Sequence, residues 1–294
     1  MEWMKQALKQ VLPLHAGEDI ISLREVRGGD IGRSYLVEGK GRKWFVKYRP
    51  DLAGLVFQRE AEGLALIREA DAVAVPESYY AGEIPGRSGG MIVLEWIESG
   101  PARQTTEEAL GRAMASLHRK GSPDGRFGLH CDNYIGLLPQ ANGWCDTWRE
   151  FYRQHRLLPM IELAEEHGRM PGERRRRLNR LIESLDRWIP AGTKPSLLHG
   201  DLWHGNWLAS ANGEPYLIDP AVFYGDREYE LAFTELFGGF STRFYAAYEE
   251  SYPLPPDYAE RRPLYQLYYL LVHLILFGES YGPSVDRVLA RYVG

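Results

Sequence analysis

Cysteine is scarce in this chain: Cys131 and Cys145 are the only two among 294 residues, and they do not stand at metal-ligand spacing. That excludes a disulfide-stapled scaffold or a cysteine-rich zinc module and leads us to expect reduced thiols in the cytoplasm. A basic surplus is also missing. The formal charge of −5 argues against a general nucleic-acid binder. No apolar run reaches the ~20 residues that a bilayer span requires. The most apolar stretch, Leu264 to Phe277, carries Gln266 and His273 and reads as a buried helix. The first residues, Met1 to Leu8, have no basic region followed by an apolar block, so no signal peptide is expected. Internal repeats and low-complexity tracts are lacking too. The expected protein is a monomer with no membrane or nucleic-acid partner. A Gly-Lys-Ser/Thr phosphate loop is absent, which excludes the P-loop nucleotidases.

What the chain does have is concentrated between residues 198 and 220. Leu198-His199-Gly200-Asp201-Leu202-Trp203-His204-Gly205-Asn206 is followed by Tyr216-Leu217-Ile218-Asp219-Pro220. Phosphoryl transfer from ATP needs an acidic side chain to steer or accept the proton of the attacking hydroxyl. It also needs a carboxamide and a second carboxylate to hold Mg²⁺ on the phosphates. Asp201 is the expected base; Asn206 and a strand-borne Asp219 are the expected magnesium ligands, all hard oxygen donors as that ion requires. His199 is expected to brace the loop from beneath, and His204 to be structural.

The remaining half of a nucleotide site is sought upstream. Lys47, a polar tip in the apolar strand Trp44-Phe45-Val46-Lys47-Tyr48, is the expected phosphate-binding ammonium. Its partner should be Glu60 or Glu62, which cannot both face a cleft because two residues span roughly 200° of a helix. Glu60 lies three residues from the apolar Phe57, which favours it. Gly28, Gly29 and Gly32, between the first two strands, could bring backbone N–H groups to the ATP phosphates, although Gly-Gly-Asp is also an ordinary hairpin turn. Glu95, Trp96 and Ile97 end a strand where exposed backbone groups could read an adenine edge, with a plain linker as the alternative.

The pattern along the chain is α+β. Strands are expected over 20–27, 34–38, 43–48, 77–82 and 90–96, interrupted by a helix at 55–67. A hinge follows at Glu98-Ser99-Gly100-Pro101. Beyond it a helix opens on a capping box of Thr105 and Glu108, then helices are expected at 148–163 and 173–188. Two short strands, 207–208 and 216–218, precede helices to the end. The run Arg174 to Arg177 reads as a solvated helix face. The expected architecture is a protein-kinase-like fold with two lobes: residues 1–97 form a five-stranded antiparallel ATP-binding lobe, and residues 98–294 form a helical catalytic lobe.

With these residues placed, the chain resembles the fructosamine kinases (ketosamine 3-kinases), relatives of the aminoglycoside and choline phosphotransferases. The resemblance rests on His199 to Asn206 with its internal tryptophan, Phe127-Gly128, Asp132 to Gly136, Pro139 to Asn142 and Asp146 to Tyr152. It continues through Tyr224 to Glu228, Leu236 to Phe240 and Leu264 to Gly278. It implies ATP- and Mg²⁺-dependent phosphorylation of the C3 hydroxyl of a sugar joined by Amadori rearrangement to an amine. The substrates would be free ketosamines or glycated protein lysines, and the labile 3-phosphate would lead to deglycation. It further implies that Trp203 and His273 line the sugar pocket, where each could instead be a core residue, and that Asn133 meets substrate or shapes a turn. Glu230 departs from the aspartate found in many relatives, and Pro220 replaces the Phe-Gly of protein kinases. An alcohol kinase for aminoglycosides or choline-like substrates, and a nucleotide-binding pseudokinase scaffold, are the competing expectations.

Overall fold

The computed structural model describes residues 2–12, 19–26 and 33–294. The chain opens on a helix, α1 (Glu2–Val11), and then runs through strands β1 (Ser22–Val26), β2 (Arg33–Glu38) and β3 (Lys43–Arg49). Helix α2 (Gly54–Glu69) follows, then β4 (Ser78–Glu83) and β5 (Gly90–Glu95). All five strands pair antiparallel in one sheet, in the order β1-β2-β3-β5-β4.

Both faces of this sheet are covered, and the two-residue period of a strand decides which side chain goes where. On β5, Met91 and Val93 join Tyr35, Val37 and Val46 in a core sealed by Met4, Ala7 and Leu8 of α1. Ile92 and Leu94 point the other way, into the main core with Phe57, Leu64 and Ile67 of α2. Helix α1 was not expected from the sequence, although its apolar residues follow a helical period.

Beyond β5 the chain is mainly helical: α3 (Gln104–Leu117), the hairpin β6 (Asn133–Ile135) and β7 (Leu138–Gln140), then α4 (Trp148–Phe151). Helix α4 runs through a wide π-helical turn (Tyr152–Leu157) into α5 (Leu158–Glu166), and α6 (Gly172–Glu183) follows. Short strands β8 (Ser196–Leu198), β9 (Trp207–Ala209), β10 (Pro215–Leu217) and β11 (Phe223–Gly225) carry the central motif. They pair as β9 with β10 and as β8 with β11. Helices α7 (Arg227–Thr234), α8 (Thr242–Ser251), α9 (Tyr258–Phe277) and α10 (Gly282–Val293) complete the chain. Gly111 of α3 allows α8 to lie directly against it, since a Cβ there would stand 2.3 Å from the Phe244 carbonyl oxygen. Helix α9 is buried along most of its length, as its composition requires, and no helix among the described residues is long and apolar enough to cross a membrane. Cys131 and Cys145 are both free thiols.

Two local expectations are corrected. Helix α3 begins one residue before Thr105, and it is Thr106 Oγ1 that accepts the backbone N–H of Arg103, at 3.3 Å. The arginine run is not uniformly solvated. Arg174 is 2% exposed and donates to Asp286 (2.8 Å) and Glu279 (2.7 Å), because α10 folds back over α6.

Candidate active site

Three charged groups from distant parts of the chain meet beneath the sheet. Lys47 Nζ of β3 lies 2.7 Å from Asp219 Oδ1 and 2.9 Å from Glu60 Oε2 of α2. The choice between the two glutamates falls as the helical phase predicted: Glu62 points to the surface and pairs with Arg59 at 2.6 Å. Burial alone would lower the Lys47 pKa, but Asp219 and Glu60 hold it above its ordinary value. The two carboxylates share this one cation unequally. Burial pushes Glu60 up to about 7, with Lys47 pulling it back and Asp219 adding to the rise. Burial would raise Asp219 as well, but its side chain is more exposed than that of Glu60 and Lys47 holds it below the usual aspartate value.

Asp219 was expected on a strand. It stands two residues past the end of β10, with φ of 52° in the left-handed region. Ile218 N–H still donates to the Asn206 carbonyl in the register of β9 and β10, at 3.0 Å, and the chain turns away at Asp219. Aspartate tolerates that backbone region better than most residues, and Pro220 disfavours a right-handed helical conformation in the residue before it.

Asp201 and Asn206 are joined directly. The Asn206 Nδ2 amide donates to Asp201 Oδ2 at 2.9 Å and to the Asp201 carbonyl at 2.8 Å. Burial pushes the Asp201 carboxyl well above the usual range, the Asn206 hydrogen bond opposes this, and Asp219 and Glu230 add to the rise. A short 3₁₀ turn (His204–Asn206) lets five residues double back, as the spacing required. With its amide nitrogen on Asp201, Asn206 keeps its carbonyl oxygen for another partner.

The loop is held from below by groups that the sequence did not reveal. Glu230 of α7 is wholly buried and accepts the backbone N–H of Gly200 (2.6 Å) and of His199 (3.1 Å), with His118 Nε2 at 2.9 Å. Tyr269 Oη donates to the Gly200 carbonyl at 2.9 Å. Gly200 itself has φ of 85°, and a Cβ there would lie 2.0 Å from the Ala221 carbonyl oxygen, so no other residue fits. His199 is buried under the loop with Nε2 2.9 Å from the Ile218 carbonyl, and burial lowers its pKa. It braces the loop as expected. The Glu230 carboxyl lies below its ordinary value: burial opposes this, but the bonds from His118 and Gly200 prevail. That shift stabilises the fold above the ordinary glutamate value of about 4.3, and the stabilisation is lost as pH falls through the depressed folded value. Glu230→Gln is expected to remove about 3 kcal/mol of stability at neutral pH, two charge-assisted bonds' worth, and less below about pH 4. Urea titrations at the two pH values would measure this, and an equal loss at both would contradict the assignment.

These groups open into one cavity of about 510 Å³. Lys47, Glu60, Asp201, Asn206 and Asp219 lie at its floor, and Trp203 and His273 are on its wall with Phe233 and Phe277. Trp203 is 36% exposed, so it is a surface aromatic rather than a core one. His273 is half-buried: its Nδ1 donates to the Tyr269 carbonyl at 2.8 Å, which leaves Nε2 as an acceptor, and burial lowers its pKa. Asn133 and the following residues of the β6–β7 hairpin also line this cavity, and the buried Asn133 side chain braces the hairpin, donating to the Val222 carbonyl (2.9 Å) and accepting from Gln140 and Asn142 (2.8 Å each). Glu95, Trp96 and Ile97 do not line this cavity. Glu95 is tied to Glu77 through its backbone N–H, at 2.7 Å, while Trp96 and Ile97 lie beyond the last strand pair. Gly28, Gly29 and Gly32 lie outside the described residues.

An antiparallel five-stranded sheet with one intervening helix, a lysine–glutamate pair below it, and an aspartate–asparagine–aspartate set at the head of a helical lobe define a protein-kinase-like phosphotransferase. The chain belongs to the fructosamine kinase family, whose pattern matches residues 4–294. It is 42% identical over 99% of its length to a Lactiplantibacillus plantarum protein named probable ketoamine kinase, 98% of which is covered. It is 35% identical over 93% of its length to the chloroplastic protein-ribulosamine 3-kinase of Oryza sativa subsp. japonica, 79% of which is covered. The crystal structure of a candidate fructosamine-3-kinase from Thermobifida fusca superposes with a TM-score of 0.85 at 30% identity, covering 99% of this chain and 98% of that one. The choline kinase LicA of Streptococcus pneumoniae (TM-score 0.65, 17% identity, 99% and 98% covered) shares the fold alone.

Proposed function

We propose that this protein transfers the γ-phosphoryl group of ATP to the C3 hydroxyl of a ketosamine, a sugar joined by Amadori rearrangement to a free amine or a protein lysine. The observation that carries the reading is the single cavity uniting Lys47, Glu60, Asp201, Asn206 and Asp219 with Trp203 and His273.

In this reading Asp201 takes the proton as the sugar oxygen forms its bond to the γ-phosphorus, the bond to the β–γ bridging oxygen breaks, and ADP leaves. The raised Asp201 pKa suits a group that must accept a proton in the transition state. Lys47 holds the phosphates, and Glu60 fixes the angle of its ammonium. The donor set fits magnesium, since Asp219 and the free carbonyl oxygen of Asn206 are hard oxygen ligands and the site carries more carboxylate than Lys47 neutralises. Bound there, the ion would screen the phosphate charge that grows in the transition state. The glycines at 28, 29 and 32 and the backbone of residues 95–97 are proposed to meet the phosphates and the adenine. The lobe boundary is proposed between Ile97 and Glu98.

Turnover of ATP with ribulosyl-, erythrulosyl- and fructosyl-lysine, with the product position read by phosphorus NMR, tests the proposal. Phosphate on C3 of at least one of these is expected. Phosphate on another carbon, or turnover only with aminoglycosides or choline-like alcohols, would overturn it. His273→Ala is expected to raise KM for the ketosamine about tenfold, one hydrogen bond's worth, while KM for ATP stays unchanged. A rise in both would place His273 outside the sugar site.

A further inference from the structure

On the outer flank of α2, away from the floor of the cleft, three unlike donors converge. Glu62 lies on α2, while His130 and Cys131 lie in the segment that leads into β6. Cys131 Sγ is 3.5 Å from His130 Nε2 and 3.9 Å from Glu62 Oε2, and all three donor atoms lie within 4.8 Å of one another. A tetrahedral zinc ion takes sulfur at about 2.3 Å and nitrogen or oxygen at about 2.0–2.1 Å, which sets its donor–donor edges at roughly 3.3–3.6 Å. The sulfur–nitrogen edge already has that length, and the sulfur–oxygen edge exceeds it by a few tenths of an ångström.

We propose that Glu62, His130 and Cys131 form a binding site for one zinc-class divalent cation, with the fourth position left to water. A thiolate and an imidazole select a borderline or soft ion over magnesium or calcium, whose ligands are oxygens. Thus the site is chemically distinct from the oxygen set of Asn206 and Asp219. As the sulfur–metal bond forms, the thiol gives its proton to solvent. Glu62 must also exchange its exposed pairing with Arg59, at 2.6 Å, for the cation. Such surface pairs are weak, and a charged ligand bond to a divalent ion outcompetes them. All three donors can reach solvent, since Glu62 and His130 are exposed and Cys131 is partly so.

The position gives the site a consequence. Glu62 lies two residues after Glu60, the partner of Lys47, and Cys131 lies two residues before the buried Asn133. An occupied site fastens α2 to the segment that carries the β6–β7 hairpin. This adds a tether between the helix that orients Lys47 and the wall of the acceptor cavity.

Cobalt(II) is the probe, titrated into the full-length chain without nucleotide. One equivalent is expected to produce a thiolate-to-cobalt charge-transfer band and the intense d–d absorption of a four-coordinate ion, both abolished by equimolar zinc. Cys131→Ser should remove the band, and Glu62→Gln and His130→Ala should each weaken binding about tenfold or more. Zinc should raise the thermal midpoint of the wild-type chain and leave that of Cys131→Ser unchanged. A band that persists in Cys131→Ser would belong to Cys145 and would overturn the proposal. So would affinity unaffected by Glu62→Gln or His130→Ala, because a lone thiol would then be the binder. None of the three side chains is buried, so the variants should fold, and far-ultraviolet circular dichroism checks that. Binding is read without substrate, so the result stands apart from the identity of the sugar.

Discussion

Replacing Asp201 by asparagine is expected to lower kcat roughly 10³-fold, within the range that general-base catalysis supplies, and to leave the affinity for Mg-ATP nearly unchanged. The substitution is conservative here for a specific reason. Asn206 donates to Asp201 Oδ2 and to the Asp201 carbonyl oxygen, and an asparagine at 201 can present an acceptor oxygen in the same place. The loop stays fixed in any case by Gly200, through Glu230 and Tyr269. Only the capacity to take a proton disappears. The pH profile gives a second readout. Because burial holds the Asp201 carboxyl above the ordinary aspartate range, the wild-type kcat/KM should fall with decreasing pH while the solution is still less acidic than about pH 4. That acid limb should be missing from the residual activity of the variant. Near-native turnover in Asp201→Asn would show that the hydroxyl proton leaves by another route.

The second large effect is expected at Lys47. Lys47→Met should reduce kcat/KM for ATP by about 10³-fold, comparable to the removal of a group aimed at developing charge, and it should also destabilise the fold. Lys47 is the shared counter-ion of two carboxylates, and its loss leaves Glu60 and Asp219 facing each other in a buried site. Removing one partner of a buried ion pair typically costs about 3–5 kcal/mol. The sign of the pH dependence follows. In the variant both carboxyls have folded pKa values above their unfolded ones, so each is penalised when ionised, and the penalty fades as the pH falls toward the unfolded values. The stability deficit should therefore be larger near pH 8 than near pH 5. Glu60 is the first to take up a proton, since its carboxyl already sits at about 7 with the lysine present. Denaturant midpoints for wild type and variant at both pH values would measure this. A deficit that grows on acidification would mean that the pair is not held as described.

The parts of the site that the sequence made legible are those in which chemistry is carried by residue type and short spacing. Asp201, Asn206 and Asp219 lie within nineteen positions, and Glu60 is distinguished from Glu62 by helical phase alone. The first strands of the sheet are legible because they are rich in β-branched and aromatic residues and separated by glycines. What escaped depends on contacts between distant segments. Glu230 acts on the backbone N–H groups of residues thirty and thirty-one positions away, and its one side-chain partner described above, His118, is 112 positions away, so no local spacing marks it. Asn133 was read as meeting substrate or shaping a turn, and the bonds from Gln140 and Asn142 that fix its side chain in the hairpin come from seven and nine positions away. Arg174 differs from its three arginine neighbours only because α10 covers it. Asp219 was a missed local signal: an aspartate before proline already favours a turn over the continuation of a strand.

The left-handed backbone of Asp219 bears on how that position can be probed at all. Any side chain placed there is judged twice, once for the charge it presents to Lys47 and once for its tolerance of a φ of 52°. Alanine changes both at once, so a dead Asp219→Ala enzyme would not tell a lost ligand from a displaced turn. Asparagine tolerates the same backbone region and keeps a carbonyl oxygen, and glycine keeps the backbone while removing the side chain altogether. The pair separates ligand from scaffold, which no single substitution at this position can do.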